Sequence, residues 1–220
     1  MNVESQNINV EYSAGYGFYD LSDIKSMQYD FIYYVDLHNI KAVEKFPNNV
    51  YHSFSAGYFI NKKNLAGLKF SYLTTGGRNH VADYSGEYKL DMILNGYLGG
   101  FKYQYVIYES NGIGIGLQSD IGIIFTNLNL NEKLTVFDEE ITSTSDDLSN
   151  TSLYIEPSIN LNYNLFKGIN IHLNGAYNVD FKNKLFLEDE KTDIYTNWSG
   201  FRISFGINYN ISLKKSLIRE

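Results

Sequence analysis

Cysteine is absent from the 220 residues, proline occurs twice and tryptophan once. Without Cys, disulfide frameworks and thiolate metal sites are excluded, while an oxidising compartment remains compatible. No apolar run reaches the roughly 18 residues that a membrane-crossing helix requires, and mean hydropathy is −0.27. Basic residues are outnumbered, 18 Lys and Arg against 25 Asp and Glu for a net charge of −7, which argues against a protein that grips nucleic acid phosphates. Residues 1–10 offer neither the basic nor the apolar segment of a secretory signal. That fits a cytoplasmic chain, or equally an exported one whose signal has been removed.

Aromatic residues are plentiful, with 20 Tyr and 14 Phe, and their placement follows a period of two, the signature of β-strands. Ile8, Val10, Tyr12, Ala14, Tyr16 and Phe18 share one face, with Asn9, Glu11, Ser13, Gly15 and Gly17 on the other. The same alternation runs through 153–165, 169–181 and 201–211. Further strands are predicted at about 51–60, 65–77, 87–108 and 112–135, the third with a bulge between Asn95 and Gly100, where glycines interrupt the pattern. The expected fold is all-β: one domain over residues 1–220, an eight-stranded antiparallel up-and-down barrel.

Connections alternate in length. Asn61–Asn64, Glu109–Gly112 and Phe166–Gly168 read as tight turns, whereas 19–50, 78–86, 136–150 and 186–196 read as long polar loops at the opposite rim. The first holds a predicted short helix from Ser22 to about Val35, with Ile24, Met27, Phe31 and Val35 on one stripe, folded over that rim.

Alternation alone fits a soluble or a membrane barrel; the chemistry of the two faces decides between them. The polar face is poor in long charged side chains and rich in small or amide ones, such as Asn160, Asn162, Asn170, Asn174, Ser204 and Asn208. Those suit a crowded lumen better than a wet exterior. The apolar faces of the four clearest strands carry no charge over a length that matches a tilted bilayer crossing, with aromatics near their ends. A transmembrane barrel is therefore expected, in contact with outer-membrane lipid and lipopolysaccharide. Its interior would hold Glu11, Lys69, Lys102, Asp120, Glu156, His172, Asp180 and Arg202 as a polar network. Eight strands leave room for little more than side chains, so this network should plug the lumen; the alternative is a narrow path for water, ions or small solutes.

Residues Leu68 to His80, with Tyr72-Leu73-Thr74-Thr75-Gly76-Gly77-Arg78, followed by Asp83-Tyr84-Ser85-Gly86-Glu87, resemble the second hairpin of small Bacteroidetes outer-membrane β-barrel proteins of the OmpA/OmpX-like, porin-family class. The opening Gly15-Tyr16-Gly17-Phe18-Tyr19 before Leu21-Ser22-Asp23-Ile24-Lys25 is similar too. The resemblance implies a bacterial outer-membrane location and transfers no catalytic set. The last strand, with Ser204, Gly206, Tyr209 and Ile211, resembles the signal read by the outer-membrane assembly machinery, although Ser212 to Glu220 extend past it. A further envelope protein partner is compatible with this class.

The His residues are His38, His52, His80 and His172. The rim group His80, Asp83, Tyr84, Ser85 and Glu87 brings a base near a hydroxyl, but the bland reading is turn chemistry with Arg78 paired to Asp83 or Glu87. Acidic stretches at Asp138–Glu140, Asp146–Asp147 and Glu188–Glu190 with Asp193 read as solvated surface, since no calcium-loop spacing is present. No nucleophile elbow, phosphate loop, dinucleotide fingerprint or His-Glu-x-x-His occurs. The expectation is a structural or surface-interaction barrel without catalysis, cofactor or metal. A porin-like channel is the first alternative, and a rim enzyme or soluble ligand-binding barrel the second.

Overall fold

The computed structural model describes residues 6–34, 49–137, 139–166, 168–188 and 190–213. His38, Asp138, Lys167, Asp189, the helix-stripe residue Val35 and the tail beyond Leu213 lie outside them. Period two becomes sheet almost throughout. The strands are β1 (Gln6–Tyr19), β2 (Asn49–Phe59), β3 (Asn64–Asp83), β4 (Gly86–Ser110), β5 (Ile113–Val136), β6 (Glu139–Phe166), β7 (Ile169–Asp180), β8 (Asn183–Leu187), β9 (Glu190–Thr196) and β10 (Gly200–Leu213), with helix α1 over Ser22–Tyr34. Eight of them, β1 to β7 and β10, form a closed antiparallel ring, shut by the β1–β10 and β5–β6 pairings. The ring is staggered. Paired residues lead from Gly17 through Arg202, Ala176, Ser158, Gln118, Gln104 and Leu65 to Phe59, one pair past Tyr58 and Ile8, so the walk returns to β1 about ten residues from its start.

Three of the four expected loops differ from expectation. Residues 78–86 and 136–150 are the far ends of β3 to β6, strands of 20, 25, 24 and 28 residues, and Tyr84–Ser85 alone separates β3 from β4. Residues 186–196 belong to the β8–β9 hairpin, which pairs with β6 at Leu148 and Ser149. The expected slip between Asn95 and Gly100 is also absent: β4 keeps one phase from Tyr88 to Gln104, and its irregularity lies at Ile107, between Val106 and Tyr108. Glycines thin a face without shifting it. Pro157 does disturb the wall, since it has no N–H for the ladder, and the β6–β7 pairing skips from Ile155↔Val179 to Ser158↔Ala176.

The sign of the faces reverses along the long strands. Toward the short turns, β4 and β5 aim Lys102, Gln104, Gln118 and Asp120 inward, with Phe101, Tyr103, Leu117 and Ile121 outward. Past Gly96 the same strands bury Leu90, Met92, Leu94, Leu128 and Leu130, while Lys89, Asp91, Asn129 and Asn131 face out. Leu148 of β6 joins this upper core, as do Leu21 just before α1, Ile24 and Met27 of α1, and the fully buried Trp198. The helix stripe thus closes the rim end of the barrel. Gly96 makes space for that closure, because a Cβ there would lie 3.0 Å from the Trp198 ring.

Candidate functional site

The ring's stagger brings charges from different strands to one level of the lumen. On adjacent strands Lys102, Asp120 and Glu156 are cross-strand neighbours, and Glu11, Ser55 and Lys69 form the next row. Lys69 Nζ donates to Asp120 Oδ2 and to Glu156 Oε1, both at 2.7 Å. Arg202 Nη1 donates to the second oxygen of Glu156 at 2.5 Å, and its guanidinium lies over the rings of Tyr19 and Tyr51. Lys102 Nζ donates to Glu11 Oε2 at 2.9 Å and Ser55 Oγ at 3.1 Å, while His172 Nε2 stands 3.7 Å from Glu11 Oε1. Gln118 Nε2 donates to Asp120. Three carboxylates therefore face three cations, every one of them buried. Paired and hydrogen-bonded, such a cluster is tolerated inside; any member left alone is not.

Asp180 is also buried, but the structure sets it apart from the cations. It accepts from Ser152 Oγ at 2.6 Å and from the Trp198 backbone N–H at 2.9 Å, tying β7 to the cap. Trp198 itself donates Nε1 to Thr126 at 3.0 Å and meets Tyr19 edge-on. Sequence reasoning missed Trp198 because it lies in the non-strand segment before β10, where no alternation assigns a side; its being the sole tryptophan was the available signal. On β10, Ser204 and Gly206 point inward, Tyr209 and Ile211 outward.

Below the charges the lumen opens toward the short turns as a vestibule of about 650 Å³. One wall is a chain of amides that follows the pairing of β6, β7 and β10. Asn164 donates to Asn170 at 2.8 Å, Asn170 to Asn208 at 2.7 Å, Asn208 to Asn162 at 3.0 Å, and Asn162 to Asn160. Asn9 donates to Asn210 across β1 and β10.

At the opposite rim His80 Nε2 is hydrogen-bonded to Glu87 at 2.8 Å, both half-exposed. Tyr84 is exposed at the tip, and the Ser85 carbonyl accepts from Phe137 N–H. Arg78 pairs with Asp91, its directly opposed neighbour, rather than with Glu87, because register places them side by side; the Asp83 side chain lies outside the described residues. The hydrogen-bonded Arg78 guanidinium holds the Asp91 carboxyl below its ordinary range. The pair's contribution is therefore present above the ordinary carboxylate pKa and fades as pH falls through the lowered one. Arg78→Ala should return the Asp91 midpoint, followed by NMR titration, toward ordinary values while lowering stability in urea at neutral pH by no more than about 1 kcal/mol, as expected for an ion pair at the surface. Among the described residues no group of three His, Asp or Glu is gathered as a metal site.

The chain matches no protein-family model and no curated protein. Among solved structures it is similar to Ail, the attachment invasion locus protein of Yersinia pestis, in complex with the heparin analogue sucrose octasulfate (14% identity, 95% of this chain and 100% of that one, TM-score 0.47). It is similar also to Neisserial surface protein A (11%, 93% and 96%, 0.44). A third is a major outer membrane protein from Thermus thermophilus (8%, 93% and 99%, 0.44). Likeness at this level carries nothing about role, which rests on the chain's own residues.

Proposed function

We propose that this protein is a bacterial outer-membrane β-barrel with a sealed lumen, acting without catalysis as a structural or surface-interaction protein through its rim extension. The observation that carries the reading is the reversal of the two faces. On all eight ring strands, outward positions from the short turns up to about Thr74, Asn95 and Phe125 carry no Asp, Glu, Lys or Arg. Two outward pairs within that belt are hydrogen-bonded locally: Tyr12 Oη meets His52 Nδ1 at 2.9 Å, and Tyr72 Oη donates to Asn95 at 2.9 Å. Such satisfaction matters where no water is at hand. Above the belt the exterior turns polar and the interior apolar, as strands leaving lipid for water would require. In this reading the belt meets lipid and lipopolysaccharide, and Ser204, Gly206, Tyr209 and Ile211 on β10 present the strand to the assembly machinery.

A soluble barrel would need its apolar face inside at every level. Membrane fractions should accordingly retain the protein until detergent is added, and the unheated band should migrate apart from the heated one; a detergent-free soluble monomer would overturn the proposal. The vestibule supports a second reading, a narrow channel, because it already penetrates to Glu11. Planar bilayers decide between them: flat traces support the seal, and stepwise conductance supports the channel.

A further inference from the structure

We propose that the amide-lined vestibule at the short-turn mouth is a binding site for a neutral, hydroxyl-rich saccharide of about two or three sugar units. Its volume of about 650 Å³ lies within the roughly 300–1,000 Å³ of small-molecule sites. A carboxamide has two donor hydrogens and two acceptor lone pairs. In the chain from Asn164 through Asn170 and Asn208 to Asn162, each amide donates one hydrogen to the next, so each keeps a second N–H to offer, and the acceptors keep a second lone pair. Fixed groups that both donate and accept match sugar hydroxyls, which do the same. The cross-strand row continues from Asn208 to Glu11 on β1, whose carboxylate adds an acceptor at the inner end. Phe59, on the inward parity of β2, supplies an aromatic face at the mouth.

Deeper in the lumen, beyond the residues that line the vestibule, Asn160 Nδ2 and both ring nitrogens of His172 are buried with no hydrogen-bond partner in the protein, a state that native interiors resolve with ordered water. Charge selects against anionic guests. The lumen cations are already engaged by carboxylates, so an anion would find no unpaired partner among them, and Glu11 repels it.

The test uses the whole barrel in nanodiscs, which leave both mouths open, titrated by calorimetry and saturation-transfer NMR with N,N′-diacetylchitobiose and, separately, maltotriose. Saturable binding is expected for at least one sugar, weakened about tenfold (about 1.4 kcal/mol) by Asn208→Leu or Asn170→Leu and retained in Arg78→Ala. Should either amide variant fail to fold, Phe59→Ala reads the same site without breaking the amide chain and should also weaken binding. Flat titrations with both sugars in a barrel that shows the unheated gel shift would overturn the proposal, leaving a vestibule filled with water. Binding of equal strength in the variants would overturn it as well, by placing the sugar elsewhere.

Discussion

Replacing Lys69 with methionine should lower the stability of the folded barrel by about 3–5 kcal/mol, the range for removing one partner of a buried ion pair. Lys69 holds Asp120 and Glu156 apart at 2.7 Å each, with side-chain exposures of 7%, 0% and 2% for the three residues. Methionine fills much of the volume and supplies no charge. Glu156 would retain Arg202, but Asp120 would keep only the Gln118 amide as a neutral donor. The urea midpoint of the unheated gel band, refolded in detergent, measures the loss. Adding Asp120→Asn to Lys69→Met restores neutrality and should recover most of it. A single variant as stable as the parent would mean that the cluster does not bear on folding.

Phe70→Arg should cost about 2–4 kcal/mol, the depth-dependent penalty for a cation on the lipid face near the middle of a membrane barrel. Phe70 lies outward on β3, 59% exposed, between Leu68 and Tyr72. Asn131→Arg, outward on β5 beyond the reversal, faces water in the proposed reading and should fall within about 0.5 kcal/mol of the parent. The contrast is the informative quantity, since both positions are surface positions by exposure alone. Equal, small effects at the two sites would argue for a soluble barrel.

Much of the ring was legible because each face was uniform. Along 8–18, 169–181 and 201–211, apolar and polar residues alternate without exception of charge, and β1, β7 and β10 follow them closely. Legibility failed where that contrast weakened. Ile141-Thr142-Ser143-Thr144-Ser145 has polar residues on both faces, so composition said loop, although β5 holds it in a ladder with Lys133 and Glu132. Between Asn95 and Gly100 the glycines hid a phase that the burial of Leu94 and Leu98 makes plain. The membership of the lumen cluster could be read from parity, but its partners could not. Register decides that Asp91, and not Glu87, faces Arg78, and the stagger decides that Arg202 reaches Glu156. The departure of Asp180 toward Ser152 and the Trp198 backbone depends on a segment with no periodicity at all.

Trp198 also reports on the molecule from within. As the only tryptophan in the chain, fully enclosed between Tyr19, Thr126 and Gly96, it gives the molecule a single-site optical probe at the junction of helix and barrel. Its emission should be blue-shifted in the native state and move to the red if the helix lifts away, even while the strands stay paired. Far-ultraviolet dichroism would follow the sheet and tryptophan emission the lid, so closure of the rim can be timed separately from formation of the ring.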